Sequence, residues 1–184
     1  MNVLKNDDGT LIRGNQAILK KCTEHFMSLY ASKQIQHNRF PEFALGENVP
    51  RLSQEDKLSC EGPITYEECK FATSKMARNK TAGVSGFSAE FLSFFWEELG
   101  SIVVDYINDA KIRKQLFVSH RRGILTLIPK KGDQKLLVNK RPICLLDVIY
   151  KLIAKVIATR MGKVINKIIH SSQTGFMKGR YTYW

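Results

Sequence analysis

Five cations crowd residues 130–141: Lys130, Lys131, Lys135, Lys140 and Arg141. Cations spaced this closely suit the neutralisation of phosphate oxygens along a polyanion. Arg141 offers a planar fork to two oxygens at once, whereas Lys130 supplies a compact point charge. Bond-making chemistry would need other residues. Phosphoryl transfer calls for carboxylates that converge to hold two Mg²⁺ ions. Asp133 instead sits in a Lys-Lys-Gly-Asp turn, and Asp147 precedes an apolar run as a helix cap. The adjacent acids Asp7-Asp8 fall in a turn, while Glu55-Asp56, Glu67-Glu68 and Glu97-Glu98 fall in a linker or on helix surfaces. No catalytic residue and no metal site is expected. The four cysteines form no Cys-x-x-Cys pair, and Cys22-x-x-His25 lies in a helical pattern with no second pair near it.

The elements that must carry the cations are legible around them. Ile124, Leu125, Leu127 and Ile128 form a short strand stopped by Pro129, and a second strand opens with Arg141-Pro142, a β-hairpin whose tip is basic. A knot, His120-Arg121-Arg122, precedes it. Beyond the hairpin, Asp147 caps a long helix marked by Ile149, Leu152, Ile153, Val156, Ile157, Met161, Val164 and Ile168, with Gly162 as a place where it could break. Lys151, Lys155, Lys163 and Lys167 share its polar side, which reads as solvated, with nucleic-acid contact as the alternative. The tail from Gln173 to Arg180 is glycine-rich and basic.

Upstream, Asn6 to Gly9 is a turn, and residues 15–31 carry a helical stripe of Ile18, Cys22, Phe26, Leu29 and Tyr30. Residues 32–62 are polar and broken by Pro41, Gly46 and Pro50, a linker. Thr65 and Glu68 form a capping box for a helix that shows Cys69, Ala72 and Met76 on one face and ends near Arg78. A glycine-bearing loop with Lys80 leads to a cap at Ser88. It could bring backbone amides towards phosphate but lacks the spacing of a P-loop. The helix after it is expected to bury Phe91, Leu92, Phe95, Trp96 and Leu99 and to end at Gly100, with another helix from Ile102 to about Lys114.

Charge is divided unevenly along the 184 residues: residues 1–110 carry a net −3 and residues 111–184 a net +15. A solubility surface would intersperse both signs, so the basic half points to an acidic partner, nucleic acid first. At 43% hydrophobic residues the composition is globular. No apolar run is long enough to span a bilayer, and the N-terminus lacks the apolar core of a signal peptide, so an intracellular location is expected, cytoplasmic or nuclear.

Taken together, these residues resemble the reverse transcriptase of LINE-type non-LTR retrotransposons. The resemblance is carried by Leu127-Ile128-Pro129-Lys130-Lys131-Gly132-Asp133, by Arg141-Pro142-Ile143, by Tyr150-Lys151-Leu152-Ile153-Ala154-Lys155 and by Gln173-Thr174-Gly175-Phe176 with Lys178-Gly179-Arg180. Asp8-Gly9-Thr10, Gly62-Pro63-Ile64-Thr65 and the stretch from Asn79 to Phe91 continue it. In place of the family's Pro-Gly-Pro-Asp-Gly this chain has Ala82-Gly83-Val84-Ser85-Gly86.

The resemblance implies an α+β, helix-rich fingers subdomain of a right-hand polymerase with a basic β-hairpin, incomplete without its palm active site and thumb. Residues 1–62 would be a helical segment upstream of the polymerase, and 63–184 the partial fingers. Lys130 and Arg141 would hold the triphosphate of an incoming nucleotide. Lys80, Arg121, Arg122, Lys131, Lys140, Gln173, Lys178 and Arg180 would contact nucleic acid. Family chemistry is RNA-templated DNA synthesis with Mg²⁺. This chain, without the palm aspartates, is expected to need no cofactor and to be inactive alone. Template and primer, RNA and DNA, are the implied partners, no membrane is expected, and self-association is expected through apolar surface that a palm would cover. Two alternatives stay open: a non-catalytic RNA- or DNA-binding protein, and a translated remnant without a role.

Overall fold

A computed structural model describes residues 3–6, 8–32, 50–177 and 179–181. Pro41 and Gly46 of the expected linker lie outside these. The chain divides into two units, 1–41 with 125–144 and 42–124 with 145–184. Helices and two small two-stranded sheets make up the described residues, an α+β composition.

In the first unit, β1 (Val3–Lys5) pairs antiparallel with β2 (Leu11–Arg13), Leu4 facing Ile12. The turn between them closes with Gly9 N donating to Asn6 O at 3.0 Å, while the Asp8 carboxylate accepts from Thr10 N at 2.9 Å. Sequence reading finds that turn but not the strands, which are three residues long and too short to show a two-residue period. Helix α1 (Asn15–Tyr30) follows. Leu4, Ile18 and Leu137 form a small buried core, with Ile12, Cys22 and Leu127 packed on it. Ile18 and Phe26 of the expected stripe are buried, whereas Leu29 and Tyr30 are exposed.

The second unit is helical. Its elements are α2 (Gln54–Cys60), α3 (Tyr66–Ser74), α4 (Ala89–Phe94), α5 (Trp96–Ile112), α6 (Val118–Arg121) and α7 (Val148–Val164). Helix α2 lies inside the stretch expected as linker. Ser53 starts it, its hydroxyl accepting from Asp56 N at 3.1 Å. Helix α3 carries the expected capping box, with Glu68 N donating to Thr65 Oγ1 at 3.2 Å and Thr65 N to Glu68 Oε2 at 3.0 Å. Asp147 caps α7 as expected, accepting from Ile149 N at 2.9 Å, and the helix runs unbroken through Gly162.

The core is built by α3 packing on both α5 and α7. Cys69 and Ala72 meet Leu92, Trp96, Val104, Ile107, Val148, Leu152 and Val156. Full burial of side chains such as Leu152 or Val156 contributes roughly 1.5–3 kcal/mol each. The chain entering α3 is pinned to α5 by Asn108, which accepts from Ile64 N and donates to Ile64 O, both at 2.8 Å.

Gly100 does not end a helix; it lies inside α5. A Cβ there would come within 2.6 Å of Tyr66 Cε2 and 2.8 Å of Trp96 Cε2, so the glycine is required by close ring packing. The aromatic run is also split: α4 ends at Phe94 and α5 starts at Trp96. Leu92 and Trp96 are buried as expected, but Phe91 and Phe95 are partly exposed and Phe94 is 80% exposed.

Besides Asp147 at the α7 cap, a second charge is buried here. Val148, Leu152, Val156, Arg160 and Val164 recur every four residues on the buried side of α7, and Arg160 is only 8% exposed. Its Nε and Nη2 donate to the two carboxylate oxygens of Glu68, each at 2.6 Å. Its remaining donors reach the carbonyls of Cys60, Glu61 and Gly62 at 3.0–3.3 Å and that of Pro63 at 2.6 Å. An arginine with its donors met in this way can be buried at tolerable cost.

Candidate nucleic-acid interface

Strands β3 (Gly123–Pro129) and β4 (Lys140–Leu146) pair, so the expected hairpin forms. Pro129 ends β3 because it has no N–H to give to a ladder. The tip between them belongs to the first unit and is held by its own polar groups. Lys130 N donates to Asn139 O at 2.8 Å. Asn139 Nδ2 donates to Asp133 O at 3.0 Å, and Lys135 N to Asp133 Oδ1 at 2.9 Å. Gln134 donates to the carbonyls of Lys130 and Gly132. Gly132 takes φ +106°, and a Cβ there would meet Asn139 Nδ2 at 2.8 Å. Asp133 is thus a turn residue, as its sequence context indicates. Lys5 N also donates to Lys135 O at 2.8 Å, tying the tip to β1.

This frame presents its cations outward. Lys130, Lys131 and Arg141 are exposed and Lys140 is half-buried. Among the described residues, Lys130 Nζ reaches only Val138 O, at 3.3 Å, and Lys140 Nζ only Gln134 Oε1, at 3.2 Å. Among the described residues, no ion pair involves any of the four. Arg141 follows Asn139, the partner of Lys130, by two residues, roughly 7 Å along the strand. The tip therefore offers positive charge that is free of ion pairs among the described residues, on a backbone held by its own hydrogen bonds.

The second unit holds the other candidates. Lys80 is exposed in the 79–88 loop. That loop is anchored at both ends: Asn79 N donates to the Glu90 carboxylate, which holds its pKa below the ordinary value, and Ser88 Oγ accepts from Phe91 N at 3.2 Å. Gly83 is buried in it, and a Cβ would come within 2.5 Å of Leu146 O and 2.6 Å of Asp147 N. With the loop pressed onto the start of α7, Lys80, Lys151, Lys155 and Phe87 line one cleft of about 230 Å³. Lys151 and Lys155 belong to the face that reads as solvated, with nucleic-acid contact as its alternative. The loop's folding back onto α7 puts them beside Lys80, and nothing in the local sequence signals that return.

The remaining candidates stand apart. Arg121 ends the short helix α6 and Arg122 follows it, both exposed. Gln173 donates through Nε2 to Gly175 O at 3.1 Å. Arg180 is committed within the chain: its guanidinium donates to the carbonyls of Asn166, Ile169, His170 and Gln173 at 2.6–3.2 Å, closing the end of the α7 region. Lys178 lies outside the described residues.

The Mg²⁺ of the family's chemistry is not expected in this chain. Among the described residues, no group of three or more His, Cys, Asp and Glu side chains converges on a point that could hold a metal ion. Asp147 is buried at the α7 cap with Oδ2 unpartnered among the described residues, but no second acid joins it. Likewise among the described residues, no helix is long and apolar enough to cross a membrane.

No family model matches the chain. Over 174 residues, 95% of its length, it is 34% identical to the transposon TX1 uncharacterized 149 kDa protein of Xenopus laevis, and it spans 13% of that protein. Such identity along nearly the whole chain marks it as transposon-derived.

Proposed function

We propose that this chain is the fingers part of a LINE-type reverse transcriptase, holding nucleic acid and nucleotide phosphates without carrying out polymerisation by itself. The hairpin tip carries the reading: Lys130, Lys131 and Arg141 stand exposed and free of ion pairs among the described residues, on a turn that its own hydrogen bonds hold. Lys130 and Arg141 hold the triphosphate, and Lys131 and Lys140 meet the nucleic-acid backbone. The relationship to a transposon protein supports this assignment. Template is RNA, primer DNA, and residues 63–184 form the fingers.

A second reading, a nucleic-acid-binding protein with no polymerase partner, is favoured by the cleft of Lys80, Lys151, Lys155 and Phe87. Three cations beside an exposed aromatic ring make a site for single strands without sequence preference.

The test is binding of a labelled deoxynucleoside triphosphate to chain 1–184, measured by anisotropy. Loss of binding in Lys130→Ala/Arg141→Ala, and its retention in Lys151→Ala/Lys155→Ala, is expected for the fingers. Equal binding by all three proteins sinks the nucleotide role of the hairpin.

A further inference from the structure

We propose that a groove on the second unit docks an acidic amphipathic helix of a protein partner. The groove measures about 530 Å³. Its floor is apolar, formed by Ile107 and Ala110 of α5, Leu116, and Ile153, Ile157 and Met161 of α7. Ile157 and Met161 are 47% and 48% exposed. With Tyr150 and Ile153 they recur at three- and four-residue steps on α7, along a face other than the one that carries Leu152, Val156 and Arg160 into the core. From Tyr150 to Met161 the helix rises roughly 16 Å, three turns, enough to seat a short partner helix.

The rim decides the partner's charge. Lys111, Lys114 and Arg121 stand around the groove, Lys111 with its Nζ also donating to Gly62 O; Arg160, paired with Glu68, borders it, and among the described residues no aspartate or glutamate lines it. A partner with apolar residues on one face and acids flanking them would bury the floor and meet all three cations. Nucleic acid fits poorly, because Tyr150 at one end offers a single ring to stack on and the isoleucines and methionine that follow it offer base edges no hydrogen bond. An extended peptide also fits poorly: no strand contributes to the groove, so its backbone N–H and C=O groups would lose water without gaining partners. A helix meets its own backbone needs.

The probe is a fluorescein-labelled helical peptide of about sixteen residues, leucines on one face and glutamates on the rest, titrated with chain 1–184. Saturable binding is expected, weakened about tenfold or more by Ile157→Asp and by Lys114→Glu/Arg121→Glu, and absent for a peptide of the same composition with its leucines scattered. Circular dichroism checks each variant's helix content, and Met161→Lys replaces Ile157→Asp if that variant unfolds. The proposal is overturned by equal binding of the scattered peptide, by unchanged affinity in both groove variants, or by displacement of the peptide by a single-stranded RNA of equal charge. Sedimentation that shows the chain dimerising through this face, with Ile157→Asp monomeric and no peptide bound, overturns it in favour of a second copy.

Discussion

Arg160 and Glu68 are 92 residues apart in the chain, yet their fork-to-fork pair, with both contacts at 2.6 Å, joins α7 to the first turn of α3. The same carboxylate accepts from Thr65 N and so also starts α3. One acid therefore serves helix initiation and tertiary locking together, and the arginine opposite it gathers the four carbonyls from Cys60 to Pro63.

This pair sets a stability prediction. Arg160→Met leaves the half-buried Glu68 carboxylate and the carbonyls from Cys60 to Pro63 without their shared donor, so it should cost about 3 kcal/mol. The double variant Arg160→Met/Glu68→Gln should recover part of that loss, since no lone charge remains. Urea titration of the four proteins checks it. A single-variant loss below 1 kcal/mol, or no recovery in the double, would contradict the role given to the pair.

Acid should act through the same contact. The Arg160 hydrogen bonds hold the Glu68 pKa at about 2 from an ordinary 4.5. A depressed carboxylate pKa contributes stability that is fully present above the unfolded value and lost as pH falls towards the folded one. The decline attributable to Glu68 should therefore run from about pH 4.5 down to about 2 and be missing in Glu68→Gln. Parallel pH–stability curves of parent and variant through this window would refute it.

Two glycines should respond in opposite directions to alanine. At Gly83 the new methyl would press on backbone atoms of Leu146 and Asp147 at 2.5–2.6 Å, and neither can swing aside. Gly83→Ala should destabilise by about 2 kcal/mol or more. At Gly162, inside α7, nothing lies within 4 Å of the new methyl. Gly162→Ala should stabilise by about 0.5–1 kcal/mol, because alanine loses less backbone freedom in a helix. Thermal melts of the two variants test the pair, and a shared sign would show the packing to be misjudged.

RNA affinity should fall steeply with salt, with a log–log slope of roughly −0.7 per phosphate contact for a single strand. Without nucleotide, Lys130 and Arg141 are open to RNA phosphates beside Lys131, so Lys130→Ala/Lys131→Ala/Arg141→Ala and Lys80→Ala/Lys151→Ala/Lys155→Ala should each reduce the slope by about 2, one contribution from each lysine or arginine engaged. Phe87→Ala should weaken binding with the slope unchanged, since stacking releases no counterion. Filter binding over a salt series reads all three. A triple variant with the parent's slope excludes that cluster from the interface.

Primer extension should be nil for chain 1–184 with Mg²⁺ or Mn²⁺, because no converging acids among the described residues can fix two cations at a reacting phosphorus. The Lys130→Ala/Arg141→Ala protein, purified alongside, exposes any contaminating polymerase. Template-dependent incorporation that vanishes in that control would place polymerisation in this chain after all.

What the sequence determined by itself is local. Thr65 with Glu68, Ser88 and Asp147 each satisfy amides within two or three residues, so these caps can be read without knowing what lies across the fold. Pro129, Gly132 and the flanking apolar residues define the hairpin in the same way, and the charge imbalance is arithmetic on the chain. The tertiary structure decided everything that depends on who lies opposite. Arg160 occupies an apolar-stripe position, and its spacing from Val156 and Val164 was visible, but its partner is in another helix. Gly100 reads as a stop until Tyr66 and Trp96 close over it, and Phe91 and Phe95 read as core until α4 and α5 part at that point. Arg180 reads as a free cation until four carbonyls surround it. Periodicity shows that a face is apolar or charged; only the packing of distant segments determines whether that face meets protein or solvent.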